Sequence, residues 1–165
     1  MNTLKMLPVQ TNEQIHILSK LASEIWNQHF VPIIGQAQVD YMLDKFLSPN
    51  ALANQLASGY EYFLVSCDDK FVGFTGIHDE NGSLFLSKLY VHIDSRGKGI
   101  ASWVFHELVK ICKNRNLDKI WLTCNRYNSN TLSIYDHLGF GIVREEAADI
   151  GNGFVMDDYI LEYKI

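Results

Sequence analysis

The chain has 165 residues, of which 47% are apolar and 20% charged, and its formal net charge is −5. This length fits one domain over residues 1–165 with a core of its own, and the composition is that of a folded globular protein. The negative charge argues against a nucleic-acid partner bound by general electrostatics. It suits a cationic or amine-bearing partner better.

The three cysteines, Cys67, Cys112 and Cys124, lie in apolar stretches. An odd number cannot all pair, so we predict buried thiols in a reducing compartment. The first residues show no apolar run of the signal-peptide kind, and no window reaches the roughly 18 apolar residues of a membrane span. We therefore expect a cytoplasmic protein without a membrane partner. No H-x-x-x-H or C-x-x-C spacing occurs, so no metal site is predicted.

The N-terminal third is predicted to form a strand followed by helices. Residues 4–10 read as a short strand. Thr11 and Gln14 have the spacing of a capping box, and a helical apolar pattern follows them. A second helical region is predicted from residue 38, with a restart at Ser48-Pro49 because proline is tolerated in a first helical turn.

The middle of the chain predicts three antiparallel strands. The runs "YEYFLVSC" and "KFVGFTGIHD" are separated by Asp68-Asp69, and Asn81-Gly82, a strong hairpin signal, leads into "SLFLSKLYVHI". A helix is predicted from Ile100 because apolar residues then recur at helical spacing.

The last third predicts a buried strand "DKIWLTC", a short helix over 130–138 ended by Gly139, and two more strands. The predicted order is β-α-α-β-β-β-α-β-α-β-β. This is an α/β fold with a mixed sheet.

The stretch "HIDSRGKGIAS", residues 92–102, joins the third of these antiparallel strands to the helix that follows. A strand, a glycine-rich basic turn and a helix N-terminus together can bind an anion. Arg96 and Lys98 add positive charge to the helix dipole and favour a phosphate. The alternative is a tight turn in which glycine has only its generic role.

Two well-known phosphate loops fit poorly. A P-loop needs Ser or Thr after the lysine, but Lys98 is followed by Gly99. The dinucleotide fingerprint needs a third glycine where Ser102 stands, and an acidic residue at the end of the next strand, where the chain reads Thr-Cys-Asn. A dinucleotide-dependent protein is therefore a weak alternative.

A second motif, "NTLSIYDHLGF" at residues 130–140, follows the turn. With both motifs in this order, the sequence resembles the GNAT superfamily of acyl-CoA-dependent N-acetyltransferases. The family's loop [Q/R]-x-x-G-x-[G/A] corresponds to Arg96, Gly97, Lys98, Gly99, Ile100 and Ala101. Its later motif corresponds to Asn130, Tyr135, Gly139 and Phe140. The resemblance covers residues 60–165 clearly and the earlier part only vaguely.

The resemblance implies a mostly antiparallel mixed sheet flanked by helices and splayed between the fourth and fifth strands, 84–92 and 119–124. It implies that the loop binds the pyrophosphate of acetyl-CoA, the co-substrate, with no metal. The pantetheine arm would pair with the backbone of Leu89, Tyr90 and Val91, and one N–H there would polarise the thioester carbonyl. Asn130 would contact the arm.

Tyr135 is implied as the general acid, because a phenol with a pKa of about 10 is protonated at pH 7 and can donate to the leaving thiolate. The general base is open. The fourth strand has no Glu or Asp between Ser83 and His92, where some family members have a carboxylate. The candidates are water and the side chains of Glu24, Asp40, Glu61 and His92, the last of which could instead only shape the turn.

The implied reaction is direct acetyl transfer to a primary amine, with a polyamine or other small amine as partner. Residues 25–49 faintly resemble bacterial spermidine acetyltransferases. Protein N-termini, lysine side chains, amino acids and aminoglycosides remain open as acceptors. A non-catalytic acyl-CoA sensor also remains open, and a homodimer is compatible with such folds. Asp157-Asp158 could face an amine or lie in a turn or at a solvated strand edge, and Cys124 could lie near the cofactor sulfur or be a buried small hydrophobe.

Overall fold

The computed structural model of the protein describes residues 3–165. In chain order its elements are β1 (Leu4–Pro8), α1 (Asn12–Ile34), α2 (Gln36–Leu47), α3 (Pro49–Ala57), β2 (Glu61–Cys67), β3 (Lys70–Glu80), β4 (Ser83–Val91), a short 3-10 helix (Ile93–Ser95), α4 (Ile100–Arg115), β5 (Lys119–Asn125), α5 (Ser129–Leu138), β6 (Gly141–Gly151) and β7 (Phe154–Lys164).

The helix starts follow the local signals of the sequence. The Thr11 hydroxyl accepts a hydrogen bond from the Gln14 N–H, and the Gln14 side chain accepts one from the Thr11 N–H. This is the predicted capping box. The Ser48 hydroxyl likewise accepts from the Ala51 N–H at the start of α3, where Pro49 is the first helical residue.

The predicted turns are confirmed as well. Asp68 and Asp69 have φ of 52° and 66°, and Asn81 and Gly82 have 49° and 85°. Two successive left-handed residues match the twist of a two-residue hairpin. Gly139 ends α5 with φ 105°, as predicted for a left-handed cap.

Three details differ from the sequence prediction. The region between β1 and β2 contains three helices where the predicted order counts two, because the predicted restart at Ser48-Pro49 makes α3 a helix separate from α2. Helix α5 begins one residue early, at Ser129. Cys67 is only half-buried, because it ends β2 beside the Asp68-Asp69 turn, whereas Cys112 and Cys124 are buried.

The strands are hydrogen-bonded in the order β1-β2-β3-β4-β5-β7-β6. Strand β4 runs parallel to β5, with Leu84 opposite Ile120 and Phe85 opposite Trp121, and the rings of the second pair stack at 4.2 Å. The pairs β1–β2, β2–β3, β5–β7 and β6–β7 are antiparallel. The α/β fold with a mixed, mostly antiparallel sheet is thus confirmed.

The chain divides into two compact units, and β4 contributes to both. The first contains the chain up to His78 together with Lys88–Phe105, and the second contains Asp79–Ser87 and His106–Ile165. Each has its own buried apolar residues. They include Leu18, Ile25, Leu52, Leu64 and Phe74 in the first unit, and Leu84, Leu108, Ile120, Leu122 and Ile160 in the second. Within residues 3–165, no helix combines the length and apolarity needed to cross a membrane.

In the first unit, β3 lies close against the end of β4 at Gly73. A Cβ on Gly73 would lie 2.5 Å from the Tyr90 carbonyl oxygen and 3.3 Å from Val91 Cα. Next to it, the His92 N–H donates to the Val72 oxygen at 2.6 Å. Since the obstacle is backbone, only glycine fits without moving the end of β4.

We therefore expect Gly73→Ala to lower the free energy of unfolding by about 1–3 kcal/mol, as overpacking does. Gly141→Ala is the matched control in β6, because a Cβ there meets no atom within 4 Å. Urea unfolding of both variants is the measurement. Equal stability of the two variants would show that the end of β4 shifts to make room for a Cβ at no measurable cost in free energy.

Candidate active site

The first part of the site is the turn that leads from β4 into α4. The His92 ring accepts a hydrogen bond from the Asp94 N–H through Nδ1, at 3.3 Å, at the start of the 3-10 helix. The Nε2 atom of the same ring lies 3.8 Å from a Glu24 carboxylate oxygen. His92 therefore shapes the turn, which was one of its two predicted roles.

Two glycines shape the rest of the turn. Gly97 and Gly99 have φ of 77° and 75°, a backbone region that other residues enter only at a cost. Helix α4 then begins at Ile100, which is 3% exposed and anchors the helix. Its first hydrogen bond runs from the Trp103 N–H to the Gly99 oxygen at 3.0 Å. A helix N-terminus directs backbone N–H groups outward and its dipole favours negative charge, so this end of α4 suits an anion.

The two basic side chains of the turn differ in their surroundings. Arg96 donates from Nε to the Val91 oxygen at 3.2 Å, and its Nη2 lies 3.1 Å from His29 Nδ1. Arg96 is thus held against the end of β4 and against α1. Lys98 is exposed. The turn therefore has one fixed and one solvated positive charge.

The side chains at the end of β4 pack inward. The Tyr90 ring has the rings of Trp26, Phe30 and Phe74 each at a centroid distance of 5.6 Å, and Leu89 is 9% exposed. Such aromatic packing fixes the strand rather than exposing reactive side chains. What this segment can offer a ligand is its backbone.

Strand β4 carries an ionisable group that the sequence analysis did not single out. Lys88 Nζ lies 5.9 Å from the centre of the Tyr62 ring, a cation–π distance. Burial lowers the pKa of Lys88 to about 8. A lysine within the apolar run "SLFLSKLYV" was the sequence signal for this burial.

The second part of the site is α5, in the second unit. Tyr135 is 7% exposed, its ring lies 5.2 Å from that of Phe140, and its carbonyl accepts the Phe140 N–H at 3.0 Å. Burial, with a smaller contribution from the Cys124 thiol, raises the pKa of Tyr135 above its usual value. The phenol therefore keeps its proton at neutral pH and can donate it.

Asn130 lies exposed in the first turn of α5, whereas Asn128 is buried. The Asn128 N–H donates to the Asn125 oxygen at 3.0 Å, and its carbonyl accepts from the Leu132 N–H at 3.0 Å. Asn128 is thus the residue that joins β5 to the helix, which the sequence analysis did not identify.

Asp158 is the clearest correction to the sequence analysis. It lies within β7 and is 7% exposed, so it is in neither a turn nor a solvated strand edge. In the part of the chain that the structure describes, its Oδ1 atom has no hydrogen-bond partner. Burial, followed by the charges of Asp157 and Glu146, raises the pKa of Asp158 to about 6.

Cys124 is 6% exposed. Burial and the charge of Asp158 raise the pKa of its thiol to about 12. A thiol that stays protonated is a poor nucleophile, which agrees with Cys124 as a buried small hydrophobe.

The predicted site residues thus fall into two groups, one in each unit. Leu89, Tyr90, Val91 and the turn from Arg96 to Ala101 follow one another in the first unit, where β4 leads into α4. Asn130 and Tyr135 lie together on α5 in the second unit.

Comparison with known proteins identifies this arrangement. The family model described as "Acetyltransferase (GNAT) family" matches residues 19–140. No curated protein matches the chain.

Solved structures share the fold at low sequence identity. The PaiA N-acetyltransferase from Thermoplasma acidophilum, in complex with coenzyme A, has a TM-score of 0.81 and 20% identity, covering 100% of this chain and 99% of that one. A putative GNAT-family acetyltransferase from Desulfovibrio desulfuricans has a TM-score of 0.72 and 15% identity, covering 99% of each chain. The ribosomal-protein-S18-alanine N-acetyltransferase from Escherichia coli has a TM-score of 0.70 and 17% identity, covering 100% of this chain and 94% of that one.

These descriptions name no polyamine acceptor, so the spermidine resemblance gains no support from them. The family match covers well over half of the chain and agrees with the fold and the glycine turn. The chain therefore belongs to the GNAT family of acetyl-CoA-dependent N-acetyltransferases.

Proposed function

We propose that this enzyme transfers the acetyl group of acetyl-CoA directly to a primary amine, a polyamine or another small amine. The observation that supports this most strongly is the glycine turn before α4. Gly97 and Gly99 hold it in a left-handed backbone conformation, next to a helix N-terminus and two basic side chains. That combination suits a diphosphate.

The turn fits the diphosphate of coenzyme A in charge and in space. A Cβ at Gly97 or Gly99 would meet no atom within 4 Å, so both glycines lie open to a ligand. Lys98 is exposed and can approach a phosphate oxygen as a flexible point charge. Arg96 adds a fixed positive charge at the end of β4.

The backbone of Leu89, Tyr90 and Val91 would hold the amide-bearing arm of the co-substrate and direct one N–H at the thioester carbonyl. This role needs no particular side chain. It needs a backbone that does not move, because a preorganised donor stabilises developing negative charge without reorganising. The packing of Tyr90 and the close approach at Gly73 meet that requirement.

Tyr135 would donate a proton to the leaving thiolate, and Asn130 would add an amide contact. The raised pKa of Tyr135 keeps the phenol protonated at the pH where an amine can attack. A module that only senses acyl-CoA has no use for a buried proton donor. This favours an enzyme over a sensor.

The experiment that tests the function is thiol release from acetyl-CoA with spermidine, spermine, lysine, an aminoglycoside and a short peptide as acceptors. We expect turnover with at least one small amine, and the net charge of −5 favours a polycationic one. Turnover with the peptide alone would move the acceptor to a protein N-terminus or lysine. Tight binding of acetyl-CoA without turnover of any acceptor would favour the sensor.

Replacement of Tyr135 by phenylalanine tests the general acid. We expect kcat to fall about 10²-fold or more, with acetyl-CoA affinity unchanged because the ring still packs on Phe140. Tyr163→Phe is the matched control. The centre of the Tyr163 ring lies 5.6 Å from that of Phe140, and Tyr163 has no proposed catalytic role. Wild-type kcat for Tyr135→Phe would exclude the acid role and leave the acyl transfer itself intact.

A further inference from the structure

The second unit contains a buried carboxylate that no role described so far explains. Asp158 is 7% exposed, and its Oδ1 atom has no hydrogen-bond partner among residues 3–165. A buried polar atom without a partner costs free energy, and for a charged group the cost is larger. Such a group in a native protein needs an explanation, and a bound ligand or a catalytic role is one.

The neighbouring groups do not neutralise Asp158. Directly opposite it on β5 is Asn125, and directly opposite on β6 is Glu146. The titratable and charged groups on the two strands paired with β7 are Lys119 and Cys124 on β5 and Arg144, Glu145, Glu146 and Asp149 on β6, with Arg126 in the turn after β5 and Tyr135 on α5.

The basic groups in this set have other partners or other positions. Lys119 Nζ lies 3.0 Å from Glu162 Oε2, and the exposed Arg144 is opposite Ile160 rather than Asp158. Arg126 is engaged as well. Its Nε atom lies 2.9 Å from Asp157 Oδ1, and its Nη2 atom lies 3.3 Å from Glu145 Oε2. Asp157 and Glu145 thus share one counter-charge, while Asp158 is left with acidic neighbours. The chemical complement of this position is an ammonium group.

We propose that Asp158 binds the acceptor's ammonium group and removes its proton, which makes it the general base of the transfer. This inference rests on the proposed function. It also identifies a general base in a chain whose β4 has no Glu or Asp between Ser83 and His92. Strand β7 supplies the carboxylate that β4 lacks.

The other candidate bases are less suited where their contacts are known. The His92 ring accepts the Asp94 N–H at one nitrogen and faces Glu24 with the other. Asp40 accepts a hydrogen bond from the Gln36 amide at 2.8 Å. Both have partners that they would have to exchange for a substrate, whereas Asp158 Oδ1 does not.

The proton balance uses Asp158 and Tyr135 in turn. The ammonium gives one proton to Asp158, and the neutral amine then forms the N–C bond with the acetyl carbonyl carbon. The C–S bond breaks, and the thiolate takes the Tyr135 proton. The second proton lost by the nitrogen restores the phenol, directly or through water, and Asp158 releases its proton to solvent. The net products are the amide, the free thiol and one proton.

The test is the pH dependence of kcat/KM for Asp158→Asn, with Asp158→Glu as the conservative variant. Ionisation of Asp158 with a pKa of about 6 predicts that wild-type kcat/KM falls as the pH drops below about 6. We expect Asp158→Asn to lose about 10²-fold or more in kcat/KM at pH 8 and to lose this acidic limb, with acetyl-CoA affinity unchanged. Asp158→Glu should recover part of the rate. If protonation of the acceptor's own amine causes the fall in kcat/KM at low pH, the same fall appears in every variant.

Glu146→Gln is the matched control, because it removes the charge opposite Asp158 from an exposed position. Glu146 raises the pKa of Asp158, so its removal should move the acidic limb to lower pH while kcat/KM at pH 8 stays unchanged.

Thermal melting separates catalysis from a structural role. The pKa of Asp158 is raised in the folded state, so its ionisation destabilises the protein as the pH rises from about 4 to about 6. Asp158→Asn should therefore melt like wild type at pH 4 and about 5 °C higher at pH 8.

Wild-type kcat/KM and an intact acidic limb in Asp158→Asn would overturn the inference and leave the proposed function standing. A large fall in melting temperature at pH 8, together with lost activity, would assign Asp158 a structural role and also overturn it. If the unaltered enzyme acetylates no amine, the proposed function fails and this inference fails with it.

Discussion

The turn between β4 and α4 depends on two backbone angles that glycine adopts at little cost. With φ of 77° at Gly97 and 75° at Gly99, the chain leaves the strand through a short 3-10 helix and enters α4 so that the helix N-terminus lies at the turn. Ile100 then anchors α4 in the core of the first unit. The proposed diphosphate site is a consequence of this conformation rather than of any one reactive side chain.

The rest of the first unit acts to keep that turn in place. Gly73 lets β3 approach the end of β4, His92 caps the turn, and Arg96 ties it to Val91 and His29. The second unit has a different character, because its proposed chemistry lies in buried ionisable groups. Burial keeps the Tyr135 phenol protonated and raises the pKa of Asp158 toward neutrality. Two groups with such separated pKa values are suited to act as acid and base in one reaction.

Burial of Asp158 has a cost in stability that the proposed chemistry would explain. An ionised carboxylate whose Oδ1 atom has no hydrogen-bond partner among residues 3–165 weakens the fold at neutral pH. Proteins commonly retain such costs where activity requires them.

The sequence predicted the features that depend on a few adjacent residues. The capping box of Thr11 and Gln14, the Asn81-Gly82 hairpin and the Gly139 cap are all set by local backbone chemistry, and the structure confirms them. Asp158 was harder, because "FVMDDYILEYKI" does not reveal that β7 lies between β5 and β6 in the sheet. A strand covered on both edges buries residues that local polarity assigns to solvent.

The ties of Arg96 to His29 also escaped prediction, since they join residues 67 positions apart. The same limit applies to Asn128. The predicted helix began at residue 130, two positions after Asn128, and the connection of Asn128 to Asn125 depends on how β5 and α5 meet. Hydrophobic periodicity and turn residues identify helices and strands, but the partners of a polar side chain depend on which helices and strands pack together.

The most direct test of the central claim is calorimetric titration of acetyl-CoA into Gly99→Ala and Gly82→Ala. Both glycines are left-handed, and a Cβ at either meets no atom within 4 Å, so the two variants bear a similar strain of roughly 1–2 kcal/mol. If the turn before α4 binds the diphosphate, Gly99→Ala weakens acetyl-CoA binding about tenfold or more, while Gly82→Ala binds like wild type. Wild-type affinity in both variants would contradict the account, because binding would then not depend on the conformation of the turn.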